Sequence, residues 1–190
     1  MINKQAKLSE HFTLGELTKT TVKGVYNEPP HAAVLNLKNL CENWLEDLRY
    51  SYNMLYGSLP NSLSPNPSPK GEGDYEVPII INRSLPLAPS KGRGDYEAPI
   101  IINSGYRSPE VNKAIGGAPN SNHLTGCAVD IRVAGIEQAL RYAVILLDMA
   151  DGTQRDFDEL LIERSPKGTY WLHFAVRPQG NRRRVRFIQT

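Results

Sequence analysis

The sequence has little of several features that define large classes of protein. Among its 190 residues there are only two cysteines, Cys41 and Cys127, which are too few for a disulfide framework. It contains no run of about 18 apolar residues, so we expect no transmembrane helix. The formal net charge is only +2, with 22 Lys and Arg against 20 Asp and Glu. This balance argues against a dominant nucleic-acid-binding surface.

The length and composition indicate one globular domain. Domains commonly contain about 100–200 residues, and 40% of these residues are hydrophobic, as in ordinary globular chains. The stretch from Met1 to Leu17 has no apolar run long enough for a secretory signal. We therefore expect the protein to be cytoplasmic as synthesised.

A near-repeat interrupts the middle of the chain. Residues 70–82 read KGEGDYEVPIIIN, and residues 91–103 read KGRGDYEAPIIIN. Two copies are too few for a solenoid, and the Ser-, Pro- and Gly-rich stretches around them are typical of loops. We interpret residues 58–94 as a duplicated insertion, dispensable for the fold, in a single domain spanning residues 1–190. The second Pro-Ile-Ile-Ile-Asn copy is assigned to the core, and the first would pair beside it or lie outside it.

Apolar spacing predicts two long helices. Apolar residues recur every three or four positions from Val34 towards Gly57, and again in residues 136–152. Ser108 followed by Pro109 predicts the start of a shorter helix. Helices followed by clustered strands favour an α+β fold with a small antiparallel sheet. The predicted strands are residues 128–133, 157–162, 171–176 and 185–188.

Residues 121–130, SNHLTGCAVD, hold the densest group of chemically active side chains. Gly126 and the apolar run after it predict a loop that enters a strand, so His123 and Asp130 can converge on one point. A further histidine, His173, interrupts an apolar strand and needs a partner there, because burying an unpaired polar group is unfavourable. Imidazole and carboxylate suit zinc, and three protein ligands leave a fourth position for water. Taken alone, each of these residues is more often structural.

Two spaced motifs resemble the zinc-site signature of one peptidase family. Ser-x-His-x-x-Gly-x-Ala-x-Asp, at residues 121–130, is followed by Trp-x-His at residues 171–173. Together they resemble the zinc D-Ala-D-Ala carboxypeptidases and related phage endolysin peptidases. The resemblance covers most of the chain except the insertion, and its other segments resemble the phage-type branch. Those segments are Leu8–Leu17, Asn36-Leu37, Ser104–Ser108, Asn112 and Gly116-Gly117.

The resemblance implies a fold, a cofactor and an activity. The fold is the hedgehog/DD-peptidase-like α+β fold, and the cofactor is Zn²⁺. The activity is hydrolysis of peptide bonds in peptidoglycan stem peptides, by a D-Ala-D-Ala carboxypeptidase or an endolysin-type endopeptidase. The missing secretory signal fits a phage-type enzyme that is released to the cell wall at lysis.

The resemblance also implies roles for individual residues. His123, Asp130 and His173 match the zinc ligands. Ser121 matches a residue beside the substrate, and Arg107 matches an arginine that faces the substrate or the scissile carbonyl. A guanidinium near the metal can stabilise a developing oxyanion.

The general base departs from the pattern of several family members, which place an acid three residues before the last histidine. This chain has Tyr170 there, and a phenol with an unperturbed pKa of about 10 is a poor base. We predict Glu163 instead, because a short hairpin would bring it beside the His173 strand. Glu159, on the same face of its strand, is the reserve candidate.

Two other functions stay open on the sequence alone. A non-catalytic, zinc-containing cell-wall-binding module would keep the metal ligands and lack a working base. A nucleic-acid-binding protein would rest on the basic run Arg182–Arg186, but no aromatic platform accompanies that run. We therefore expect a peptidoglycan peptide as the partner and no nucleic acid.

Overall fold

Helices pack on one face of a five-stranded sheet with the strand order β1-β2-β4-β3-β5. The computed structural model describes residues 3–56 and 98–189. The helices there are α1 (Leu14–Leu17), α2 (His31–Leu40), α3 (Glu46–Tyr56), α4 (Pro109–Ala114) and α5 (Ile136–Thr153). The strands are β1 (Ile102–Ser104), β2 (Ala128–Arg132), β3 (Glu159–Arg164), β4 (Tyr170–Ala175) and β5 (Arg184–Gln189).

The first long helix contains a π-helical turn that the apolar spacing does not reveal. α2 begins directly after Pro30, and α3 continues to Tyr56, but Cys41–Leu45 between them is π-helical. A π turn holds more residues than an α turn. Cys41, Trp44 and Leu45 of this turn are all buried.

The α+β class is confirmed, but the sheet is mixed where we expected it to be antiparallel. The pairs β1–β2, β2–β4 and β3–β4 are antiparallel, whereas β5 runs parallel to β3. Both edges of β4 are occupied, by β2 and β3, so the chain leaving β4 cannot return beside it as a hairpin. It passes the beginning of β3, where Arg183 N–H donates to Phe157 O. β5 then starts beside Glu159, on the outer edge of β3.

The second Pro-Ile-Ile-Ile-Asn copy enters the sheet as predicted. Its last residues begin β1, where Ile102 pairs with Ile131 of β2 and is buried. The first copy and the predicted insertion at residues 58–94 lie outside the described residues. The predicted start of α4 is also confirmed, since the Ser108 side chain accepts a hydrogen bond from the Val111 N–H.

The two faces of the sheet differ in their surroundings: one packs against the helices, and the other does not. Leu172 and Phe174 of β4 face the helices and are fully buried, and the Phe174 ring lies 5.1 Å from that of Trp44. His173, between them, points to the opposite face, as strand alternation requires. Polar side chains can therefore gather on the face away from the helices without disturbing the core. Within the described residues, no helix is both long and apolar enough to cross a membrane.

Asp158 lies directly before β3 and anchors the segment that connects β4 to β5. We call this segment, residues 176–183, the crossover. Its carboxylate is 0% exposed and accepts hydrogen bonds from Arg182 Nε (2.7 Å), Arg182 Nη2 (2.6 Å) and Asn122 Nδ2 (2.7 Å). Arg183 and Arg184 also have carboxylate partners. The basic run thus forms ion pairs within the protein, which supports a structural role for these three arginines.

We expect Asp158→Asn to destabilise the fold by about 2 kcal/mol near neutral pH. Burial opposes ionisation of Asp158, but the hydrogen bonds from Arg182 and Asn122 lower its pKa from 3.8 to about 2. Each pKa unit corresponds to about 1.36 kcal/mol. Because the unfolded chain binds this proton more tightly, the stabilisation is present above about pH 4 and is lost as the pH falls towards 2.

Urea denaturation of both proteins at several pH values tests this expectation. The difference in free energy of unfolding should be largest near pH 7 and should shrink by pH 3. The matched control is Asp151→Asn, which removes an exposed ion-pair partner of Arg183 and should change stability by less than about 1 kcal/mol. A difference that does not vary with pH would contradict the role given to the Asp158 carboxylate.

Candidate metal centre

Three side chains that can ligate a metal lie together on the sheet face away from the helices. Asp130 of β2 is directly opposite His173 of β4 in the antiparallel register. His123 reaches them from the loop before β2 and is only 2% exposed. The structure thus brings together the loop histidine, the strand carboxylate and the strand histidine that the sequence singled out.

The three ligand atoms contact one another. His123 Nε2 lies 3.2 Å from Asp130 Oδ1, and His173 Nδ1 lies 2.9 Å from the same oxygen. The two ring nitrogens are 3.3 Å apart. Among the described residues, these three have the donor atoms and spacing that could hold a metal ion.

The tautomer of His123 follows from its partner on the other side of the ring. His123 Nδ1 lies 2.6 Å from the Gly105 carbonyl oxygen. Because a carbonyl only accepts hydrogen bonds, Nδ1 carries a proton, and in the neutral ring the lone pair of Nε2 is directed into the cluster. Backbone carbonyls commonly orient metal-binding histidines in this way.

The conformation of the loop explains how His123 reaches the sheet. Ser121 caps a short 3₁₀ helix, Asn122–Thr125, and its Oγ accepts a hydrogen bond from the His123 N–H. Gly126 ends this helix with a φ of +71°, and a Cβ there would lie 2.4 Å from Ala33 O. Only glycine meets both conditions, so Gly126 allows the chain to turn from His123 into β2.

Arg107 lies beside the cluster and contacts the second oxygen of Asp130. Its Nη2 donates to Asp130 Oδ2, and its Nε donates to Ser104 Oγ at 2.8 Å. Its backbone N–H donates to His123 O at 3.1 Å. Asp130 therefore offers Oδ1 to the imidazoles while Oδ2 is held by Arg107. The remaining guanidinium N–H groups of Arg107 can serve other acceptors.

Sequence reasoning missed Asn27, which secures the segment that carries Arg107. Its buried Nδ2 donates to Thr18 O (2.8 Å) and Tyr106 O (3.0 Å), and its Oδ1 accepts from the Ser108 N–H (2.7 Å). An asparagine before two prolines reads as an ordinary turn residue. No sequence signal distinguishes this one.

The two candidate bases, Glu163 and Glu159, lie on a different face of the sheet from Tyr170. Leu161 of β3 lies opposite His173, so Glu159 and Glu163 flank that position on the same strand face. Glu159 Oε2 lies 3.6 Å from His173 Nε2. Tyr170 lies on the other face of β4 and packs against the core. The Glu159 and Glu163 carboxylates therefore lie on the same side of the sheet as the cluster, and the Tyr170 phenol lies on the opposite side.

The electrostatics of the cluster favour a cation between its members. Burial opposes ionisation of Asp130, but the two histidines hold the pKa of that carboxyl well below its usual range. Burial lowers the pKa of His123, which favours the neutral form of this ring. Burial also disfavours charge on His173, but the Asp130 and Glu159 carboxylates raise its pKa to about 9. Asp130 thus attracts positive charge: without a metal, the proton on His173 supplies it, and a zinc ion would fit the same donor set once that proton is lost.

A cavity lies beside the His123 loop, and none of His123, Asp130 and His173 is among the residues that line it. Its volume is about 670 Å³, and its lining includes Ser121, Asn122 and Arg177. Sites for small ligands are commonly concave and have a few convergent polar groups. Ser121 therefore lies both at the edge of this cavity and next to one of the clustered histidines.

A His-Asp-His group with an adjacent arginine and carboxylate has the composition of a metal-dependent hydrolase site. Comparison with protein families agrees with this class, because residues 87–153 match the sequence model of the peptidase M15 family. The match includes Arg107, Ser121, His123 and Asp130 and ends before β4. It supports a relationship to the zinc peptidases of that family. A search of curated proteins finds no significant match.

Proposed function

We propose that this protein is a zinc metallopeptidase that hydrolyses peptide bonds in peptidoglycan stem peptides. The observation that carries the proposal is the convergence of His123 Nε2, Asp130 Oδ1 and His173 Nδ1 within 3.3 Å of one another. The match to the peptidase M15 family supports a peptidase. The substrate class rests on the resemblance of the two metal motifs to D-Ala-D-Ala carboxypeptidases and endolysin endopeptidases.

The residues of the cluster fit zinc as the resident metal. Two imidazoles and one carboxylate are common zinc ligands, and catalytic zinc sites usually have three protein ligands and an open position. His123 would bind through Nε2, His173 through Nδ1 and Asp130 through Oδ1. Zinc bound there would supply Lewis-acid chemistry, which activates water and polarises a carbonyl.

Glu163 is the group that would move the proton. It lies on the same face as the cluster and is half-buried, and burial raises the pKa of its carboxyl. A raised pKa makes the carboxylate a better base near neutral pH. Glu163 would take a proton from the attacking water and deliver it to the leaving amine.

Two further residues would act on the peptide. Arg107 is already oriented by Ser104 and Asp130, and its remaining donors would stabilise negative charge on the carbonyl oxygen. Ser121 lines the cavity beside His123, so its hydroxyl would contact the substrate there.

Hydrolysis assays on the zinc-loaded full-length protein test the proposal. The substrates are a peptide ending in D-Ala-D-Ala and purified peptidoglycan. Free D-alanine identifies a carboxypeptidase, whereas new amino groups in the cell wall without free D-alanine identify an endopeptidase. Activity should disappear with a chelator and return with zinc. Binding to the cell wall without any hydrolysis would overturn the proposal in favour of a non-catalytic binding module.

A further inference from the structure

The two histidines of the cluster face it with different ring nitrogens. His123 presents Nε2, and its Nδ1 is held by a backbone carbonyl. His173 presents Nδ1, so its Nε2 points away from the cluster. Rotation of the His173 ring would replace Nδ1 by a carbon atom, and a metal ligand would be lost. Some group must therefore hold the outer side of this ring.

Glu159 is the residue on that outer side. Its Oε2 lies 3.6 Å from His173 Nε2, and its side chain is 16% exposed. With a metal on Nδ1, the proton of the neutral ring would lie on Nε2, directed towards this carboxylate. A carboxylate behind a metal-binding histidine fixes its tautomer and makes it a better donor.

The Glu159 carboxylate is itself held in place on both oxygens. Oε2 accepts a hydrogen bond from Asn122 Nδ2 at 3.1 Å. Oε1 pairs with Arg182 Nη2 at 3.0 Å and with Arg184 Nη1 at 3.3 Å. A general base needs an oxygen that is open to water, whereas both oxygens of Glu159 already have cationic or amide partners. The same contacts suit a group that must keep one orientation.

We propose that Glu159 is a positioning residue that holds the His173 ring with Nδ1 towards the metal. This inference rests on the zinc site of the proposed function and assigns Glu159 a role distinct from that of Glu163. Asn122 adjoins His123 in the loop, and Arg182 belongs to the crossover before β5. Through these two residues, Glu159 links the outer side of His173 to both segments.

Zinc affinity measured by chelator competition is the first test. Glu159→Ala removes the acceptor and should weaken zinc binding by about 10–100-fold, the usual effect of losing such a partner. Glu159→Gln keeps an oxygen acceptor of the same shape and should restore most of that loss. Arg184→Gln is the matched control, because it removes an ion pair of Glu159 but leaves the acceptor in place. Its zinc affinity should stay close to that of wild type.

The second test reads the histidine tautomers directly by ¹⁵N NMR of the zinc-loaded wild-type protein. We expect protons on His123 Nδ1 and His173 Nε2. Zinc on His173 Nε2 would overturn the inference, even if the alanine variant fails to fold. Wild-type affinity in a folded Glu159→Ala protein would also overturn it, as would equal losses in the alanine and glutamine variants. If wild type itself binds no zinc, the proposed function fails instead.

Discussion

Substituting His123 by alanine should abolish stoichiometric zinc binding, the largest effect that we expect from a single change. His123 supplies one of the three ligand atoms, and its ring is already oriented by the Gly105 carbonyl. Without it, Asp130 and His173 alone would have to hold the metal. Metal content after gel filtration, measured by mass spectrometry, should fall from about one zinc per chain to background, since a catalytic site normally needs three protein ligands.

His31→Ala is the matched control for this experiment. His31 is the exposed first residue of α2, so the same substitution there should leave the zinc content unchanged. Both variants should remain folded by circular dichroism. Full zinc retention in the His123 variant would show that the metal binds elsewhere, and the assignment of the centre would be abandoned.

Glu163→Gln should keep the zinc and lose most of the turnover. The amide preserves the shape of the side chain but cannot accept the proton from water. Loss of a positioned general base lowers the rate by about 10²–10⁴-fold. Peptide hydrolysis and zinc content, measured on the same preparations, separate this effect from loss of the metal.

Tyr170→Phe is the companion variant, because Tyr170 occupies the position at which several family members have an acid. Its side chain packs against the core, on the other face of β4, so the change should reduce turnover far less than Glu163→Gln does.

Activity of wild type should fall as the pH is lowered through the pKa of Glu163, which burial raises. Near-normal turnover by Glu163→Gln would remove Glu163 from the mechanism.

The parts of the fold that follow from local pattern could be predicted from the sequence. Period-3.6 spacing located α5 to within a residue or two, and Ser108 with Pro109 marked the start of α4. The π-helical turn at Cys41–Leu45 could not be predicted, because its apolar residues also fit a regular helix. The parallel pairing of β5 with β3 depends on both edges of β4 being occupied. That arrangement is set by tertiary packing and cannot be read from the residue pattern of a single strand.

The candidate metal centre also has features that the sequence predicts and features that it does not. Motif spacing singled out His123, Asp130 and His173, and strand alternation placed Glu159 and Glu163 on one face. The sequence could not distinguish those two carboxylates, because their difference lies in contacts with distant residues. Glu159 meets Asn122 and two arginines, and those neighbours come together only when the loop and the crossover pack against β3.

The strand pairing that creates the centre also bears on the order in which the protein folds. β3 and β4 are joined by a short turn, so their pairing closes a small loop. Asp130 and His173 are 43 residues apart in the chain, and α5 lies between them. Closing the longer loop has the higher entropic barrier and is the slower kind of step. His173 can thus meet Glu159 early, whereas the metal-binding pocket becomes complete only when β2 docks against β4.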